Sequence, residues 1–297
     1  MIDRYLLRYF LAVIDHGNFS KAAAQCNVSQ PTLSVGIAKL ERLLGKPLFH
    51  RTNRRVELTE GGAQLAVHAR RIESDFNLFE RLMLEAPARR TLRLGVLATI
   101  PSAWIATFAR GVSKDVTDER IELVEGRERD LLERLGRGRI DAALTIVREE
   151  NGRFENEVLH REGYSLAISG DHPLAAQSVI AAESLADNVM IVRRHCEVLG
   201  ETSRHFTTRG VRPFFAARTT SDERALTLVA AGMGVTVMPD GFVAEGVVRP
   251  RLAGFDLKRD IGVIYAPHFT MPHAAESATF ANLRKAIRAS PTISSLA

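Results

Sequence analysis

The first 45 residues carry apolar side chains at helical spacing in three short runs. The first run predicts a helix whose apolar positions are Ile2, Leu6, Tyr9, Phe10 and Val13. Gly17 is expected to end this helix, and Ser20 is the expected N-cap of a second helix, KAAAQC, that ends at Asn27. The early chain is therefore predicted to be helical, with one face of each helix buried.

A third helix is predicted to begin after Ser29, its N-cap, with Pro31 in the first turn, where the missing N–H costs little. Its inner stripe is predicted to consist of Leu33, Ile37, Leu40 and Leu44, spaced four, three and four residues apart. Gly45 is expected to end this helix. Two short helices joined by a three-residue turn, with a first helix supporting them, predict a helix-turn-helix.

The segment KPLFHRTNRRVEL after Gly45 is predicted to form a two-stranded wing, which Leu48 and Phe49 anchor to the core. The basic side chains expected to project from the wing are Arg51, Arg54 and Arg55. Residues 1–58 hold nine Lys and Arg against four acids, whereas the rest of the chain balances at 31 of each. This excess indicates a small module that meets a polyanion, with a soluble basic face as the alternative.

A long helix is predicted from Thr59, its N-cap, to residue 86, because no proline occurs before Pro87. At about 1.5 Å per residue it would span about 40 Å. The predicted dimerisation seam on this helix consists of Leu65, Ala69, Ile72, Phe76, Phe79 and Met83, spaced alternately four and three residues apart. This is the heptad seam that a two-stranded coiled coil needs; a core helix lying on its own domain is the alternative.

From residue 91 onward the pattern changes to strands that alternate with helices. The predicted strands are TLRLGVL, RIELVEG, IDAALTI, YSLAISG, VMIVRRH, PFFAART, GVTVMP and IGVIYAP. The predicted helices are WIATFARGV, ERDLLERLGRG, CEVLGETSRHFTTRG, DERALTLVAAG and ESATFANLRKAIRA. This alternation predicts α/β sheets rich in parallel strands, and about 200 residues suffice for two lobes.

The chain resembles LysR-type transcriptional regulators. The resemblance to their N-terminal domain lies in FLAVIDHGNFSKAAAQCNVSQPTLSVGIAKLERLLGKPLFHRTNRRVELTEGG. Further similar segments are RIELVEGRERDLLERLGRGRIDAALT, DHPLAAQ and ALTLVAAGMGVTVMP, so the resemblance covers essentially the whole chain. It implies an α/β fold with an N-terminal all-α winged helix-turn-helix, a long linker helix, and a two-lobed α/β regulatory domain similar to periplasmic binding proteins.

The domain boundaries predicted on this basis separate four parts. They are residues 1–58 for the winged helix-turn-helix, 59–86 for the linker and dimerisation helix, 87–90 for a hinge, and 91–297 for the effector-binding regulatory domain. Within the regulatory domain, lobe I is predicted at 91–161 and 267–297, and lobe II at 162–266. The resemblance implies that the first part binds DNA and that the last part senses a small molecule.

The outer half of the third helix is predicted to enter the major groove. Gln30 can pair with adenine, Thr32 and Ser34 can reach either base, and Val35 can touch a thymine methyl. Lys39, Arg42 and the helix start at Ser29 and Pro31 suit phosphates, and the wing arginines suit phosphates or a minor groove. Since Val35 and Gly36 stand where family members often carry longer polar residues, direct readout is expected to be thin and shape readout to matter more.

An effector is expected to bind between the lobes, where helix N-termini can host a carboxylate. The residues predicted to contact it are Thr99, Ser102, Arg127, Thr145, Arg193, His195, Cys196 and Thr220. In the family the turn after the strand RLGVL commonly contacts the effector, which favours Thr99 and Ser102. Thr220 and Glu223 also fit a capping box at the start of the helix DERALTLVAAG.

The two cysteines favour a reducing compartment and no disulfide framework. Some relatives sense peroxide through a cysteine pair, but no resolving partner follows Cys196, and Cys26 is expected to be a small core residue. The histidines lack metal-ligand spacing, and no cofactor is predicted. Because no apolar run spans a membrane and no secretory signal is evident, a cytoplasmic protein is expected.

The pattern and the resemblance together predict a bacterial transcriptional regulator that is not an enzyme. The expected partners are double-stranded promoter DNA, a small-molecule effector and further copies of the chain as dimers and tetramers, with RNA polymerase as a further partner. The alternatives are a thiol-based redox-responsive regulator, a small-molecule-binding protein or enzyme on the same scaffold, and an architectural DNA binder without an effector. The absence of a nucleophile–base constellation disfavours the enzyme.

Overall fold

The computed structural model describes residues 1–51, 56–84, 91–114, 119–152 and 154–291. The chain divides into two compact units, an N-terminal one built on the first four helices and a larger one built on a seven-stranded sheet. The predicted hinge at 87–90 lies outside the described residues. Among the described helices, none is both long enough and apolar enough to cross a membrane.

The N-terminal unit contains the predicted helix-turn-helix and wing. Its elements are α1 (Arg4–His16), α2 (Phe19–Gln25), α3 (Gln30–Leu44), β1 (Phe49–Arg51), β2 (Val56–Leu58) and α4 (Glu60–Leu84). Gly17 and Gly45 end α1 and α3 in the left-handed conformation, with φ of 60° and 68°, as their sequence positions predicted. β1 and β2 pair antiparallel, which confirms the two-stranded wing.

The start of α2 differs from its prediction. The Asn18 side chain, not that of Ser20, caps the helix and accepts hydrogen bonds from the backbone N–H groups of Ser20 and Lys21 at 2.9 and 3.0 Å. The prediction of Ser20 as N-cap is therefore wrong, because Asn18 also caps well and its oxygen reaches both early N–H groups. The helix ends at Gln25, and Asn27 takes a left-handed φ of 55°.

The inner stripe of α3 is buried as predicted. Leu33, Ile37 and Leu40 are fully buried against α1, and Leu44 is partly buried. Leu48 and Phe49 are also buried, so the wing is anchored as expected. These side chains share one apolar core, which sets the direction in which the opposite face of α3 points.

Gly36 allows α3 to pack closely on α1. A Cβ atom at this position would lie 2.6 Å from Cδ2 of Tyr9, which is closer than two carbon atoms approach. The cost of a glycine inside a helix, about 1 kcal/mol relative to alanine, is thus offset by the close packing of the Tyr9 ring. The close approach is to a side chain of the supporting helix.

The helix α4 begins at the predicted cap, since the Thr59 hydroxyl accepts a hydrogen bond from the Gly62 N–H at 3.0 Å. Its predicted seam divides into two parts. Ala69 is buried and Leu65 is partly buried in the core of the N-terminal unit. The following positions are exposed, namely Ile72 at 38%, Phe76 at 42% and Phe79 at 56%. The Met83 side chain lies outside the described residues.

The larger unit contains the predicted alternation of strands and helices. Its strands are β3 (Thr91–Leu97), β4 (Arg120–Gly126), β5 (Ala142–Ile146), β6 (Asn156–Ser169), β7 (Val179–Ile180), β8 (Val189–Arg193), β9 (Phe214–Thr219), β10 (Thr236–Pro239), β11 (Val247–Val248), β12 (Arg251–Leu252) and β13 (Lys258–Tyr265). Its helices are α5 (Ser102–Lys114), α7 (Leu199–Thr207), α8 (Asp222–Ala230), α9 (Met271–Glu276), α10 (Ala278–Arg288) and the first part of α6 (Glu128–Gly136), whose residues from Glu133 onward belong to the N-terminal unit.

The main sheet has the order β10-β6-β13-β5-β3-β4, and β11 also pairs with β6. The strands β3, β4 and β5 pair in parallel, as do β8 and β9 in a separate small sheet. The strand β13 runs antiparallel to β5 and β6, and β10 and β11 run antiparallel to β6. The prediction of sheets rich in parallel strands is correct for the βαβ parts and wrong for β6 and β13.

The two lobes are joined by long strands. The strand β6 spans 14 residues, pairing with β13 in its first part and with β10 and β11 in its last. The sequence pattern predicted only its second half, YSLAISG, because the first half contains Glu157, Arg161 and a buried Glu162, which break the apolar run. We refer to the part of this unit around β3, β4, β5 and α5 as lobe I and to the part around β8, β9, β10, α7 and α8 as lobe II.

Candidate nucleic-acid interface and ligand cavities

The face of α3 opposite its buried stripe is accessible. Gln30, Pro31, Thr32 and Arg42 are exposed, Ser34 and Lys39 are half-buried, and Val35 is 69% exposed. The structure therefore brings the predicted contacts of α3 to one side of the helix. Because Leu33, Ile37 and Leu40 on the opposite side are fully buried, this side cannot rotate toward the core without unfolding the unit.

Hydrogen bonds order the first turn of α3. The Ser29 hydroxyl accepts from the Thr32 N–H at 3.2 Å and lies 2.7 Å from the Thr32 hydroxyl, so it acts as the helix cap. The Gln30 amide nitrogen donates to the Ser34 hydroxyl at 3.5 Å. Gln30, Thr32 and Ser34 thus form one ordered polar surface at the N-terminal end of the helix.

Lys39 is held by α1. Its ammonium donates to the Tyr5 hydroxyl at 3.0 Å and lies 3.6 Å from an Asp3 carboxylate oxygen. The hydrogen bond to Tyr5 raises the pKa of Lys39, so it stays charged at neutral pH. Arg54 and Arg55 lie outside the described residues, as does the Arg51 side chain, although the Arg51 backbone pairs with Val56 in the wing.

A cleft of about 500 Å³ lies between the two lobes of the larger unit. Three of the predicted effector contacts line it, namely Ser102 from lobe I and His195 and Thr220 from lobe II. Its acidic lining residues are Glu125, Asp222 and Glu223. The backbone N–H of Ser102 donates to a Glu223 carboxylate oxygen at 3.0 Å, which links the lobes across this cleft.

The start of α8 differs from the predicted capping box. The Ser221 hydroxyl, not that of Thr220, accepts a hydrogen bond from the Arg224 N–H at 3.2 Å and caps the helix. The Glu223 side chain is directed to Ser102 of lobe I instead of back to the cap. The prediction of Thr220 as cap is wrong by one residue, because two consecutive hydroxyl residues compete for the position.

Three predicted effector contacts lie away from the cleft lining. Thr99 is 2% exposed and accepts two hydrogen bonds from Arg259, one at its hydroxyl and one at its carbonyl oxygen. Thr145 is fully buried in β5, and its hydroxyl has no hydrogen-bond partner among the described residues. Arg127 is exposed and pairs with Asp130 at 3.2 Å.

A second cavity, of about 490 Å³, lies inside lobe II between α7 and the strands β8 and β9. The remaining two predicted effector contacts, Arg193 and Cys196, line this cavity. The sequence pattern did not predict it, because its lining comes from segments that are separated by up to about 40 residues. Only the packing of α7 across the small parallel sheet brings them together.

Arg193 is buried and forms a two-point ion pair with Asp222, of which one bond measures 2.7 Å. It also donates to the Val237 carbonyl at 3.1 Å and contacts the Cys196 sulfur at 3.4 Å. Burial alone would lower the pKa of Arg193, but the Asp222 carboxylate outweighs it and raises that pKa. Since Asp222 lines the cleft, this pair connects the two cavities.

Burial raises the pKa of the Cys196 thiol, although Arg193 partly opposes the effect. Burial likewise raises the pKa of Cys26. Both thiols therefore stay protonated at neutral pH, and a protonated thiol is a weak nucleophile. Among the described residues, no group of His, Cys, Asp and Glu side chains is arranged to hold a metal ion.

A buried ionic network lies where the paired strands β6 and β13 pass from one lobe to the other. Arg259 is 4% exposed and binds Glu162 of β6 at 2.7 Å and Glu197 of lobe II at 2.5 Å. It also donates to the hydroxyl and carbonyl oxygens of Thr99 in lobe I at 3.0 and 2.9 Å. One guanidinium thus ties both lobes to the connecting strands. The only signal in the sequence was a charged residue beside the apolar run IGVIYAP.

Two family models match the chain. The model described as the bacterial regulatory helix-turn-helix protein, lysR family, matches residues 5–63. The model described as the LysR substrate binding domain matches residues 85–281. Together they cover the N-terminal helices with the wing and most of the larger unit.

Two similar proteins align with most of the chain. The hydrogen peroxide-inducible genes activator of Haemophilus influenzae is 31% identical over 270 residues, which are 88% of this chain and 89% of that protein. The probable hydrogen peroxide-inducible genes activator of Mycobacterium avium is 32% identical and covers 83% of this chain and 80% of its own. In both cases the similarity extends over at least four fifths of each chain.

Solved structures show the same fold. A cysteine variant of full-length OxyR from Pseudomonas aeruginosa matches with a TM-score of 0.56 and 22% identity, covering 98% of this chain and 99% of that one. The regulator HinK from Pseudomonas aeruginosa matches with a TM-score of 0.55 and 19% identity, covering 97% of this chain and 98% of its own. At these identities the likeness concerns the fold alone.

Proposed function

The chain belongs to the LysR family of bacterial transcriptional regulators, and from that membership we propose which of its residues bind DNA and effector. In this proposal it acts in the cytoplasm as a regulator and not as an enzyme. Residues 1–58 bind promoter DNA, 59–86 link and dimerise, 87–90 form a hinge, and 91–297 form the two-lobed sensor. The observation that carries the DNA-binding part is the ordered polar surface opposite the buried stripe of α3.

The exposed face of α3 suits the major groove. Gln30 can pair with adenine through its amide, while Thr32 and Ser34 can accept from or donate to either base. Val35, 69% exposed, can contact a thymine methyl. The remaining contacts are assigned to phosphates or to a minor groove, and they are Ser29, Pro31, Lys39, Arg42, Arg51, Arg54 and Arg55.

Replacing Gln30 with alanine is expected to weaken binding to the operator by about 1–3 kcal/mol while leaving binding to random duplex nearly unchanged. The reason is that an amide that pairs with a base edge contributes only where that base is present. The operator would first be selected from random-sequence DNA with the wild-type protein. Titrations of labelled operator and random duplex at one fixed salt concentration then measure both affinities.

Arg42→Gln is the matched control for Gln30→Ala. Arg42 is exposed on the same helix and is assigned to a phosphate, so its loss is expected to weaken operator and random duplex equally. It is also expected to reduce the slope of log affinity against log salt by about 1. An equal loss on both duplexes for Gln30→Ala would remove Gln30 from the base-reading residues.

The exposed part of the α4 seam supports dimerisation. Ile72, Phe76 and Phe79 are 38–56% exposed along one helix, whereas Leu65 and Ala69 pack on their own unit. Exposed aromatic side chains at heptad spacing are stabilised when a second copy covers them. We assign this seam, with Met83, to the dimer, and we propose tetramers and a contact with RNA polymerase as further assembly on the promoter.

The interlobe cleft is the proposed effector site. Ser102 lies on lobe I and His195 and Thr220 on lobe II, so a ligand that contacts all three favours one degree of lobe closure. Arg193 acts from behind the cleft through Asp222, and Thr99 acts through Arg259. If promoter affinity depends on the degree of lobe closure, a ligand that prefers one closed form changes that affinity. The coupling free energy is the same in both directions, from ligand to promoter and from promoter to ligand.

Peroxide sensing is a second candidate, because the relatives described above are named as hydrogen peroxide-inducible activators. Cys196 lies in a cavity beside Arg193, which is a site that a small oxidant can reach. Two observations weigh against a disulfide switch: burial keeps the Cys196 thiol protonated, and the sequence has only one other cysteine, Cys26.

Operator binding by wild type and by Cys196→Ser is expected to respond alike to hydrogen peroxide, because a protonated thiol without a second cysteine in lobe II reacts slowly. Titrations before and after a short peroxide treatment measure this, with mass spectrometry of the peptide that contains Cys196. A peroxide response that wild type shows and Cys196→Ser lacks would favour the redox regulator. Cys26→Ser serves as the control for the other thiol.

A further inference from the structure

The lobe II cavity has a buried apolar floor and a polar rim. The floor consists of Met190, Ile191, Phe206, Val211 and Val237, each at most 5% exposed. Exposed side chains of α7 and β9 form the rim. A volume of about 490 Å³ falls in the range of about 300–1,000 Å³ that small-molecule sites occupy.

The charge of this cavity has one sign. Among the residues that the structure describes, four arginines line it, namely Arg193, Arg194, Arg212 and Arg218, and no acidic residue does. Arg193 is neutralised by Asp222. The other three are exposed, and in the described part of the chain none of them has a carboxylate within ion-pair distance. Three cations at the mouth of an apolar cavity attract an anion with an apolar body.

The interlobe cleft has the opposite character. Glu125 and Glu223 line it together with Asp222, whose charge Arg193 already balances, and one Glu223 oxygen accepts a hydrogen bond from the Ser102 N–H. A carboxylate that entered this cleft would approach like charges, whereas the same group at the lobe II rim would meet unpaired arginines. The two cavities therefore select ligands of different charge.

We propose that the lobe II cavity is a second binding site, which takes an apolar carboxylate. The hydrocarbon part lies on Phe206, Val211 and Met190, and the carboxylate meets Arg212 and Arg218 at the rim. Arg218 is already ordered by its stacking on the Phe215 ring, 5.5 Å away. The site goes beyond the proposed function, since it lies inside one lobe and its occupancy is measured without DNA.

Calorimetric titration of the full chain tests the charge preference. The probes are octanoate, 1-octanol and octylammonium, all below their aggregation concentrations, because they share one hydrocarbon body and differ in charge. Octanoate is expected to bind about tenfold more tightly than 1-octanol, as one charge-assisted contact implies, and octylammonium more weakly than both. Equal affinities for the three probes, or no binding of octanoate at millimolar concentration, would overturn the proposal.

A double variant tests the rim. Arg212→Gln with Arg218→Gln is expected to remove the preference for octanoate over 1-octanol while keeping 1-octanol binding. Arg224→Gln is the matched control, because Arg224 is exposed on α8 and lines neither cavity. Unchanged octanoate binding in the double variant, or an equal loss in Arg224→Gln, would contradict the assignment of the rim.

Alkylation of the cysteines locates the ligand. Cys196 lines the cavity and the only other cysteine, Cys26, belongs to the N-terminal unit. Saturating octanoate is expected to slow the reaction of Cys196 with iodoacetamide several-fold and to leave Cys26 unaffected, as measured by peptide mass spectrometry. Equal slowing of both thiols, or of neither, would place the ligand elsewhere and overturn the proposal. These measurements are made without DNA, so their outcomes do not depend on whether the chain binds an operator. The proposal for the lobe II cavity can therefore fail or hold separately from the proposed DNA-binding function.

Discussion

Replacing Arg259 with methionine is expected to lower the free energy of unfolding of the larger unit by about 3–5 kcal/mol. Arg259 is the shared ion-pair partner of the Glu162 and Glu197 carboxylates, whose side chains are 0% and 8% exposed. Methionine fills a similar volume but leaves Glu162 buried without Arg259 and leaves Glu197 with the charge of Arg193 alone. The single tryptophan, Trp104, is buried in the larger unit, so its fluorescence during urea unfolding reports this unit alone.

The decrease in the free energy of unfolding caused by Arg259→Met is expected to depend on pH. In the wild type, burial disfavours the ionised form of Glu197, but Arg259 and then Arg193 outweigh it and hold its pKa below the ordinary value. That contribution is present above the unfolded pKa of the carboxyl and is lost as pH falls through the folded pKa. Without Arg259, burial is expected to raise the pKa of Glu197, so the variant binds a proton more readily when folded. The difference between wild type and variant should therefore be smaller at pH 5 than at pH 8.

Arg161→Met is the matched control for Arg259→Met. Arg161 lies on the neighbouring strand β6 and pairs with Asp260 of β13 at 2.6 Å, but its side chain is 67% exposed. Water screens this pair, so its loss is expected to lower the free energy of unfolding far less than the loss of Arg259 does. Similar losses for the two variants, or a loss in Arg259→Met that does not change with pH, would mean that the ion pairs of Arg259 with Glu162 and Glu197 do not provide the expected charge compensation.

Replacing Leu40 with alanine is expected to destabilise the N-terminal unit by about 2–5 kcal/mol. Leu40 is fully buried in the inner stripe of α3, and truncation leaves a cavity between α3 and α1. Although Leu40 cannot contact DNA, operator binding should fail at a lower temperature, because the polar surface of α3 is ordered only while the stripe is packed. Hydrogen exchange of peptides from α3 measures the local stability.

Leu43→Ala is the control for Leu40→Ala, since Leu43 is on the same helix and is 44% exposed. Its effect is expected to stay within about 0.5 kcal/mol, as for surface substitutions in general. If Leu40→Ala left hydrogen exchange in α3 unchanged, the buried stripe would not be what holds the DNA-binding face in place.

The N-terminal unit was predictable from the sequence in most of its elements. Gly17, Gly45, Ser29 and Thr59 end or cap the helices where the pattern placed them. Two caps were misplaced, Ser20 in this unit and Thr220 in the larger unit, because Asn18 and Ser221 close by have a similar preference for the cap. The cap preferences of such neighbours differ by only a small free energy. The packing of the turn contributes more than this difference, so residue preference alone cannot decide which neighbour becomes the cap.

The ligand-binding regions were predictable only in part. Ser102, His195 and Thr220 come together at the cleft, whereas Thr99 and Arg193 are held by buried ion networks. A threonine that follows a strand has the same sequence pattern whether it lines a cleft or is held in a buried ion network. Whether its hydroxyl is accessible depends on Arg259, which lies 160 residues away in the chain.

The sequence by itself determined the family, the helix-turn-helix with its inner stripe, the wing and the alternation of strands and helices. These features follow from spacing, caps and glycine positions, which act between residues a few positions apart. Only the tertiary structure decided that Arg259 ties the lobes together, that Gly36 packs on Tyr9, and that arginines and carboxylates line different cavities. Burial and charge pairing act between residues that are distant in the chain, so they are settled only when the strands and helices pack.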